Sequence, residues 1–571
     1  MKRTISILLL LAMVFALFAG CDGTASSSAP ASAATEEPQT TEEATPESVA
    51  EEPVSIQEEP AERPVPEDAV SLPLDETETL TYWHDVGGDM INYLKNGDYN
   101  NQPAMIYAEE LTNVHIDNII TTAQSMNTDF QLMVASGDYA DMIYNGATLY
   151  SGGAAAAVEE ELVIDIAPYA EQGYIPNYEA AYNISASQTA DVRTDDGYIT
   201  TFLTIYKNGP DPANGLWIRK DWLDELGKDV PETYDELHEV LTLFQSEFGA
   251  VEPYYTYIFG DSHLTEGYGV GTELLESDSY LTHTFFQKDG VVSFSALEPQ
   301  WLEAVTMMNQ WYEEGLFGKN LANHTMNITD AAFGTSVCTG GTGVFRCGTR
   351  MIDMVSGNGM DYDPDYELVA MADVTKEKGE SLHYNWYTKG YATNGICISA
   401  QCENVPLALA WCDFWYSPEG SVIAEYGEEG VSYELVDGKP QWTTLVTDNP
   451  DGLTLNTAMT MYQMQVGWLR EVTTDTTGWD QKTKDALGIW SGKWDGAYSI
   501  PDTISLTTEE ATTFAASFNQ ISTYYTEMIA RFICGEEPLE NYDSFCQTLL
   551  DMGIEDCIAI EQAAFDRYQS R

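Results

Sequence analysis

The stretch Glu252-Pro-Tyr-Tyr-Thr-Tyr257 sets a carboxylate beside closely spaced tyrosines. A carboxylate accepts hydrogen bonds from hydroxyls, and an aromatic ring covers a flat CH face at little entropic cost. Glu252, Tyr254 and Tyr255 therefore suit a polyhydroxylated guest, although a strand with alternating buried tyrosines would read the same way. Other residues of these types are Trp83, Asp138, Trp217, Arg219 and Trp386, with Phe345 and Arg346 following the Gly340-Gly-Thr-Gly343 run. Each also fits ordinary packing or a surface position. The glycine run lacks the Gly-Lys-Ser/Thr ending of a phosphate loop. No Gly-x-Ser-x-Gly elbow and no His-Glu-x-x-His pair occurs. Hydrolysis of a glycoside would need two carboxylates about 5–10 Å apart. With 92 acidic residues such a pair can arise by chance, so a secreted glycoside hydrolase stays open. Asp361-Tyr-Asp-Pro-Asp365 is the one dense oxygen cluster, and its proline and missing downstream glutamate favour a solvated turn. No metal, cofactor or catalytic residue is expected.

The elements that must carry these residues alternate. Thr79–Asp85 reads as a strand and Pro103–Leu111 as a helix opened by proline. Val114–Ile120 is β-branched, Asp129–Ala135 is helical up to Gly137, and Asp141–Tyr144 is again strand-like. This order predicts an α/β fold with an open, largely parallel sheet and helices on both faces. Ligands bind outside the carboxyl ends of such strands, which is expected to put Trp83, Asp138 and Asn145 on the ligand side. Capping boxes at Thr233–Glu236 and Thr507–Glu510 open further helices. Another begins at Pro406 and is cut by Pro418.

The chain begins with Lys2-Arg3 and an apolar run from Ile5 to Ala19, a secretory signal too short to span a bilayer comfortably. Leu17-Phe-Ala-Gly-Cys21 resembles the lipobox of bacterial lipoproteins, so residues 1–20 are expected to be removed and Cys21 to carry acyl chains. Residues 21–78 are rich in Ala, Ser, Thr, Pro and Glu and read as a disordered acidic tether reaching roughly 40–45 Å. No later apolar run has membrane-spanning length. The net charge of −68 excludes nucleic acid and disfavours anionic lipid as a partner. Eight cysteines remain beyond Cys21. Their even number permits disulfides, but Cys397 and Cys412 read equally well as buried thiols, and no bridge is assigned.

Several segments in order give the chain a family likeness: Phe130-Gln-Leu-Met-Val-Ala-Ser-Gly-Asp138, Gly215-Leu-Trp-Ile-Arg-Lys-Asp-Trp222, Tyr312-Glu-Glu-Gly-Leu316, Tyr426-Gly-Glu-Glu-Gly430 and Phe532-Ile-Cys-Gly-Glu-Glu-Pro-Leu539. Across about 490 residues it resembles the extracellular solute-binding lipoproteins of ABC importers, in the large carbohydrate-type group. The resemblance implies a two-lobed, type II binding-protein fold with discontinuous lobes, crossed by strands near Thr200–Gly209 and Lys389–Ser399. Lobe 1 would comprise 79–205 and about 390–435, and lobe 2 about 206–389 and 436–571. Glu252-Pro-Tyr254 is similar to the element with which maltose-type binding proteins grip sugar. Many of the group carry a calcium loop after the helix that here ends near Phe248, yet this chain reads Phe248-Gly-Ala-Val-Glu-Pro-Tyr254 and lacks the ligand oxygens. The implied function is a monomeric, membrane-anchored, extracytoplasmic receptor that hands an oligosaccharide to permease subunits. A peptide receptor on the same fold is the other alternative.

Overall fold

The computed structural model describes residues 65–571 apart from 86–93, 95–97, 123–124, 208–213, 257–262, 272–283, 320, 322–323, 325–330, 350, 384–390, 454, 465, 471–479, 491–493 and 502. The expected signal, Cys21 and most of the tether lie outside the described residues.

Three strands open the fold: β1 (Glu78–Asp85), β2 (Val114–Thr121) and β3 (Met142–Tyr144). They run parallel in the order β3-β1-β2. The intervening helices end where a residue can turn left-handed. Pro103–Thr112 closes at Asn113 (φ 55°), and Met126–Ser136 closes at Gly137 (φ 70°). β4 (Phe202–Tyr206) then leads the chain to a second sheet. There it forms β5 (Asn214–Arg219) and β6 (Tyr254–Tyr255), a separate hairpin of β7 (Phe285–Lys288) and β8 (Val291–Phe294), and then β9 (Val344–Gly348) and β10 (Leu368–Met371). The chain returns on β11 (Tyr391–Ile398), makes the hairpin of β12 (Tyr433–Val436) and β13 (Lys439–Trp442), and leaves again on β14 (Leu469–Arg470). The first sheet has the order β14-β4-β11-β3-β1-β2, with β11 antiparallel to both neighbours. The second has the order β10-β5-β9-β6.

Each sheet has its own core, which gives two lobes. The first core gathers Tyr82, Tyr178, Phe202, Trp411 and Trp415, and reaches Met464 and Val466. The second joins β5 and β6 to the helices Tyr234–Phe248, Pro299–Glu313 and Thr508–Ile533. Three neighbouring strands, β14, β4 and β11, connect the lobes, and they lie unusually close. A Cβ built on Gly395 or on Gly467 would stand 2.2 Å from the Phe202 carbonyl oxygen, so only glycine fits on either side of β4.

Two expected boundaries are corrected by packing. Residues 436–470 belong with the first lobe, because Trp442, Val446 and Met459 pack around Tyr426, and Gln102 Nε2 donates to the Thr460 and Gln463 carbonyls. The crossing on β14 was not anticipated. The tether also ends before residue 78: Val70, Leu72 and Leu74 pack on the first core, and the Leu74 N–H donates to the Thr112 carbonyl at 3.0 Å. The capping box at Thr507 forms in full, whereas at Thr233 the Glu236 carboxylate turns to the Glu232 N–H instead. Pro418 starts a new helix, Pro418–Tyr426, as well as ending the previous one. The eight cysteines are free thiols, and Cys397 and Cys412 are buried. No helix among the described residues is long and apolar enough to cross a membrane.

Glu561 in the helix Ile554–Tyr568 is fully buried, and neither carboxylate oxygen has a hydrogen-bond partner. Burial, reinforced by nearby Glu510, pushes its pKa from 4.5 up to about 8. The folded state therefore holds this proton more tightly than the unfolded chain. The associated stability is complete below pH 4.5 and is lost as pH rises through 8, a loss on the order of 3 kcal/mol by pH 7. Glu561→Gln is expected to flatten the fall in melting temperature between pH 5 and 8 relative to the unsubstituted chain. Parallel melting curves for the two would refute a buried neutral carboxyl here.

Candidate functional site

At the carboxyl end of β3 the chain turns sharply at Asn145, whose φ of 55° few residues adopt. Its N–H donates to the Gly395 carbonyl at 2.9 Å, and its Oδ1 accepts the Gly395 N–H at 3.0 Å, which pins the turn to β11. Two short helices follow, Gly146–Leu149 and Gly153–Glu159, built largely from glycine and alanine. Such small residues leave space beyond the carboxyl end of β3. A cavity of about 530 Å³ occupies it.

The cavity has walls from both lobes. Residues 147–155 and 191–194 with Thr200, Thr201 and Leu203 come from the first, and 503–506 with Ala511 come from the second. The lining is rich in hydroxyls, including Thr148, Ser151, Thr200, Thr503 and Ser505, and Tyr150 supplies an aromatic ring. The Tyr150 hydroxyl donates to Glu160 Oε2 at 2.6 Å, and this bond to a carboxylate pushes the phenol pKa up to about 12. The Thr201 hydroxyl lies 3.2 Å from that of Thr200 and 3.3 Å from Cys397 Sγ. Behind them the buried Tyr178 hydroxyl donates to the Thr201 carbonyl at 2.7 Å and accepts the Leu203 N–H at 3.2 Å, holding the entry to β4. Arg193 is half-buried in the wall, and its Nη1 donates to the Gly197 carbonyl. Asp191 is the one carboxylate among the described lining residues. It already accepts the Thr503 hydroxyl at 3.0 Å and the Tyr568 hydroxyl at 2.7 Å. Such a surface can bind hydroxyl groups through many neutral donors and acceptors. Its described lining holds no pair of carboxylates and no nucleophile next to a base.

Of the ten ligand-binding residues expected from sequence, none of the nine that are described lines this cavity. Trp83 is buried against Phe130, with ring centroids 6.0 Å apart. Asp138 is exposed on the turn before β3, at the amino end of the parallel strands, because β3 runs the same way as β1. The expectation that it faces the ligand side is thereby corrected. Trp217 is wholly buried: its Nε1 donates to the Cys347 carbonyl at 3.1 Å, and its ring meets Trp490 edge-on. Arg219 is equally buried, sandwiched 4.2 Å from both the Trp222 and Tyr366 rings and bonded to Asp221 and Asp363. Asp363 in the 361–365 cluster thus serves that arginine. Glu252 sits before β6 and accepts the Ser336 hydroxyl at 2.8 Å. His324 and then Ser336 hold its carboxyl below the usual range against the opposing effect of burial. Tyr255 stacks on His324 at 4.5 Å, Tyr254 packs with Phe317, and Phe345 is buried. Arg346 bonds to Asp373, both buried. Trp386 lies outside the described residues.

Among the described residues no group of three or more His, Cys, Asp or Glu side chains is placed to hold a metal ion. Sequence reasoning missed the lining at 147–155, 191–194 and 503–506. Its available signal was the glycine- and alanine-rich stretch Gly152–Ala157, a few residues beyond a strand's carboxyl end.

Removing the Arg219 guanidinium strands two carboxylates and opens a gap between two rings. Arg219→Ala is expected to lose roughly 3 kcal/mol of stability in urea unfolding. A loss well under 1 kcal/mol would show that this stacked ion pair does not support the second core.

Residues 98–422 match the family described as bacterial extracellular solute-binding protein. FusA, the fructooligosaccharide ABC transporter substrate-binding protein of Streptococcus pneumoniae serotype 4 (strain ATCC BAA-334 / TIGR4), is 26% identical over 400 residues, which are 64% of this chain and 65% of FusA. Lipoprotein LipO of Bacillus subtilis (strain 168) is 22% identical over 267 residues, 44% of this chain and 49% of LipO. The chain thus spans just under two thirds of one curated relative and about half of the other. Among solved structures, the alginate-binding protein AlgQ2 without calcium ion superposes with a TM-score of 0.67 at 20% identity, covering 87% of this chain and 100% of that one. An HMO-binding solute-binding protein from Bifidobacterium longum infantis ATCC 15697 gives 0.68 at 18% identity, covering 86% and 99%. At such identities the likeness is one of fold, the two-lobed α/β architecture described above. With more than half of its length matched, the chain belongs to the bacterial extracellular solute-binding protein family.

Proposed function

We propose that this protein is the lipid-anchored substrate-binding component of an ABC importer, and that it takes an oligosaccharide into the cavity between its lobes. The observation that carries the reading is a hydroxyl-lined space with walls from both lobes, beside the three strands that join them. A guest touching both walls makes more contacts when the lobes close, and that difference is what drives closure. Hydroxyl groups give specificity because an unmatched polar group inside such a site is costly. FusA, named for fructooligosaccharides, and the HMO-binding neighbour support the choice of sugar over peptide. The role in this reading is binding without turnover, as the family description of a solute-binding protein suggests.

Calorimetric titration with kestose, with an alginate oligosaccharide and with a cationic peptide tests the ligand class. A saturable signal for a neutral sugar is expected. Its absence with strong peptide binding, or release of monosaccharides during incubation, would overturn the reading. Tyr150→Ala and Arg193→Ala are each expected to weaken sugar binding about ten-fold or more, with little change in melting temperature.

The anchor belongs to the same proposal. Acyl chains at Cys21, each buried methylene contributing roughly 0.8 kcal/mol, would hold the protein on the outer face of the cell membrane beside its permease. LipO, a lipoprotein, supports this. Cys21→Ser is expected to move the protein from the membrane fraction into the medium or periplasm. Full retention in membranes would refute the anchor.

A further inference from the structure

We infer that Asp195, Arg567 and Arg571 form a clasp across the lobes that positions the two walls of the cavity and so sets its affinity. The inference rests on the reading of that cavity as the ligand site. Asp195 belongs to the first lobe, on the loop between the helix Ala186–Asp191 and β4. Arg567 and Arg571 belong to the second, at and just beyond the end of the helix Ile554–Tyr568. Asp195 accepts three charged hydrogen bonds: from Arg567 Nε at 2.6 Å, from Arg571 Nε at 2.9 Å and from Arg571 Nη2 at 2.6 Å. Arg571 also donates to the Ala190 and Arg193 carbonyls of the first lobe and to the Ser505 hydroxyl of its own. Arg567 turns its other face to Glu510 and to the Ser505 carbonyl. Both sides of the clasp therefore bear on the cavity walls, at 190–195 and at Ser505.

The Asp195 and Arg571 side chains are only 13% and 5% exposed, so little water competes for these bonds. β14, β4 and β11 already join the lobes covalently on the hinge side. The clasp is a further, non-covalent link, and drawing residues 190–195 away from Ser505 and the Arg567–Arg571 end would break it. It therefore opposes opening and enlarges the fraction of molecules in which both walls face one another. A ligand that needs both walls binds with an affinity reduced by whatever fraction is lost.

The test uses the full-length chain, with Asp195→Asn, Asp195→Glu and Arg571→Gln. Small-angle scattering without ligand is expected to show a larger radius of gyration for Asp195→Asn and Arg571→Gln than for the unsubstituted chain. Kestose binding is expected to weaken about ten-fold in both, whereas Asp195→Glu, which keeps a carboxylate for the two arginines, is expected to show little of either effect. Folded variants with unchanged scattering and unchanged affinity would overturn the clasp. If kestose fails to bind the unsubstituted chain, the sugar reading fails for that probe while scattering still decides the clasp. Should Asp195→Asn not fold, Arg571→Gln, which leaves Arg567 on Asp195, carries the same comparison.

Discussion

The Phe202 carbonyl is approached by backbone from both sides, and the placement of everything else depends on that contact. Gly395 on β11 and Gly467 ahead of β14 lie so near it that neither position has room for a side chain. Closeness here aligns the three strands that pass between the lobes, and their alignment limits how the lobes can move. The Tyr416 hydroxyl donates to the Leu203 carbonyl at 2.6 Å, and Tyr178 binds both Thr201 and Leu203, so the first lobe grips β4 along its buried face. On the other side of the crossing, Trp490 donates to the Leu216 and Met371 carbonyls, anchoring the chain that arrives from β14 under the second sheet. A hinge needs flexible ends between rigid bodies, and these anchors supply the rigidity.

Legibility in the sequence tracked how local each signal was. The first five elements could be read within a few residues, because a proline at a helix start, a glycine past its end and a β-branched run act on their immediate neighbours. The lobe assignment of 436–470 could not. Trp442, Val446 and Met459 would pack as well on either lobe, and only their meeting with Tyr426, with Gln102 donating to the Thr460 and Gln463 carbonyls, decides it. Val70, Leu72 and Leu74 show the same limit in small: three apolar residues in an acidic, proline-rich stretch are enough to dock it, yet composition alone reads as disorder.

The cavity lies where the strand pattern points, but none of the described residues singled out from sequence lines it. The rule that ligands sit beyond the carboxyl ends of parallel strands points to Asn145 and the helices just after it, and the cavity begins at Ala147. Most of the described aromatic and arginine side chains singled out as contacts, such as Trp83, Trp217, Arg219 and Phe345, are buried instead. Tryptophan, tyrosine and arginine carry the most area and the most donors, so they are the residues a core uses to fix its own geometry, as Arg219 does between two rings. The lining uses small and hydroxyl residues, which are common everywhere and leave little trace in a single sequence.

Electrostatics reverses the usual question of which charges matter. With 92 acidic residues against 24 lysines and arginines, a carboxylate is near almost any point, so it is the placement of arginine that carries information. Arg219 meets Asp363, Arg470 meets Glu425, and Arg567 and Arg571 meet Asp195. Each joins chain segments far apart in sequence, and the last two join the lobes. A buried ion pair gives little net stability against apolar packing, but it tolerates only one geometry, so its contribution is to select an arrangement. The same imbalance bears on the guest. Screening over about 8 Å leaves the remote surface charge with little hold on a ligand inside. Among the described lining residues, a guest of the proposed kind would meet one guanidinium, one carboxylate already engaged and a wall of hydroxyls, in a strongly anionic protein. A neutral, hydroxyl-rich molecule would enter such a place without a charge to desolvate, whereas a cation would find no spare carboxylate among the described lining residues.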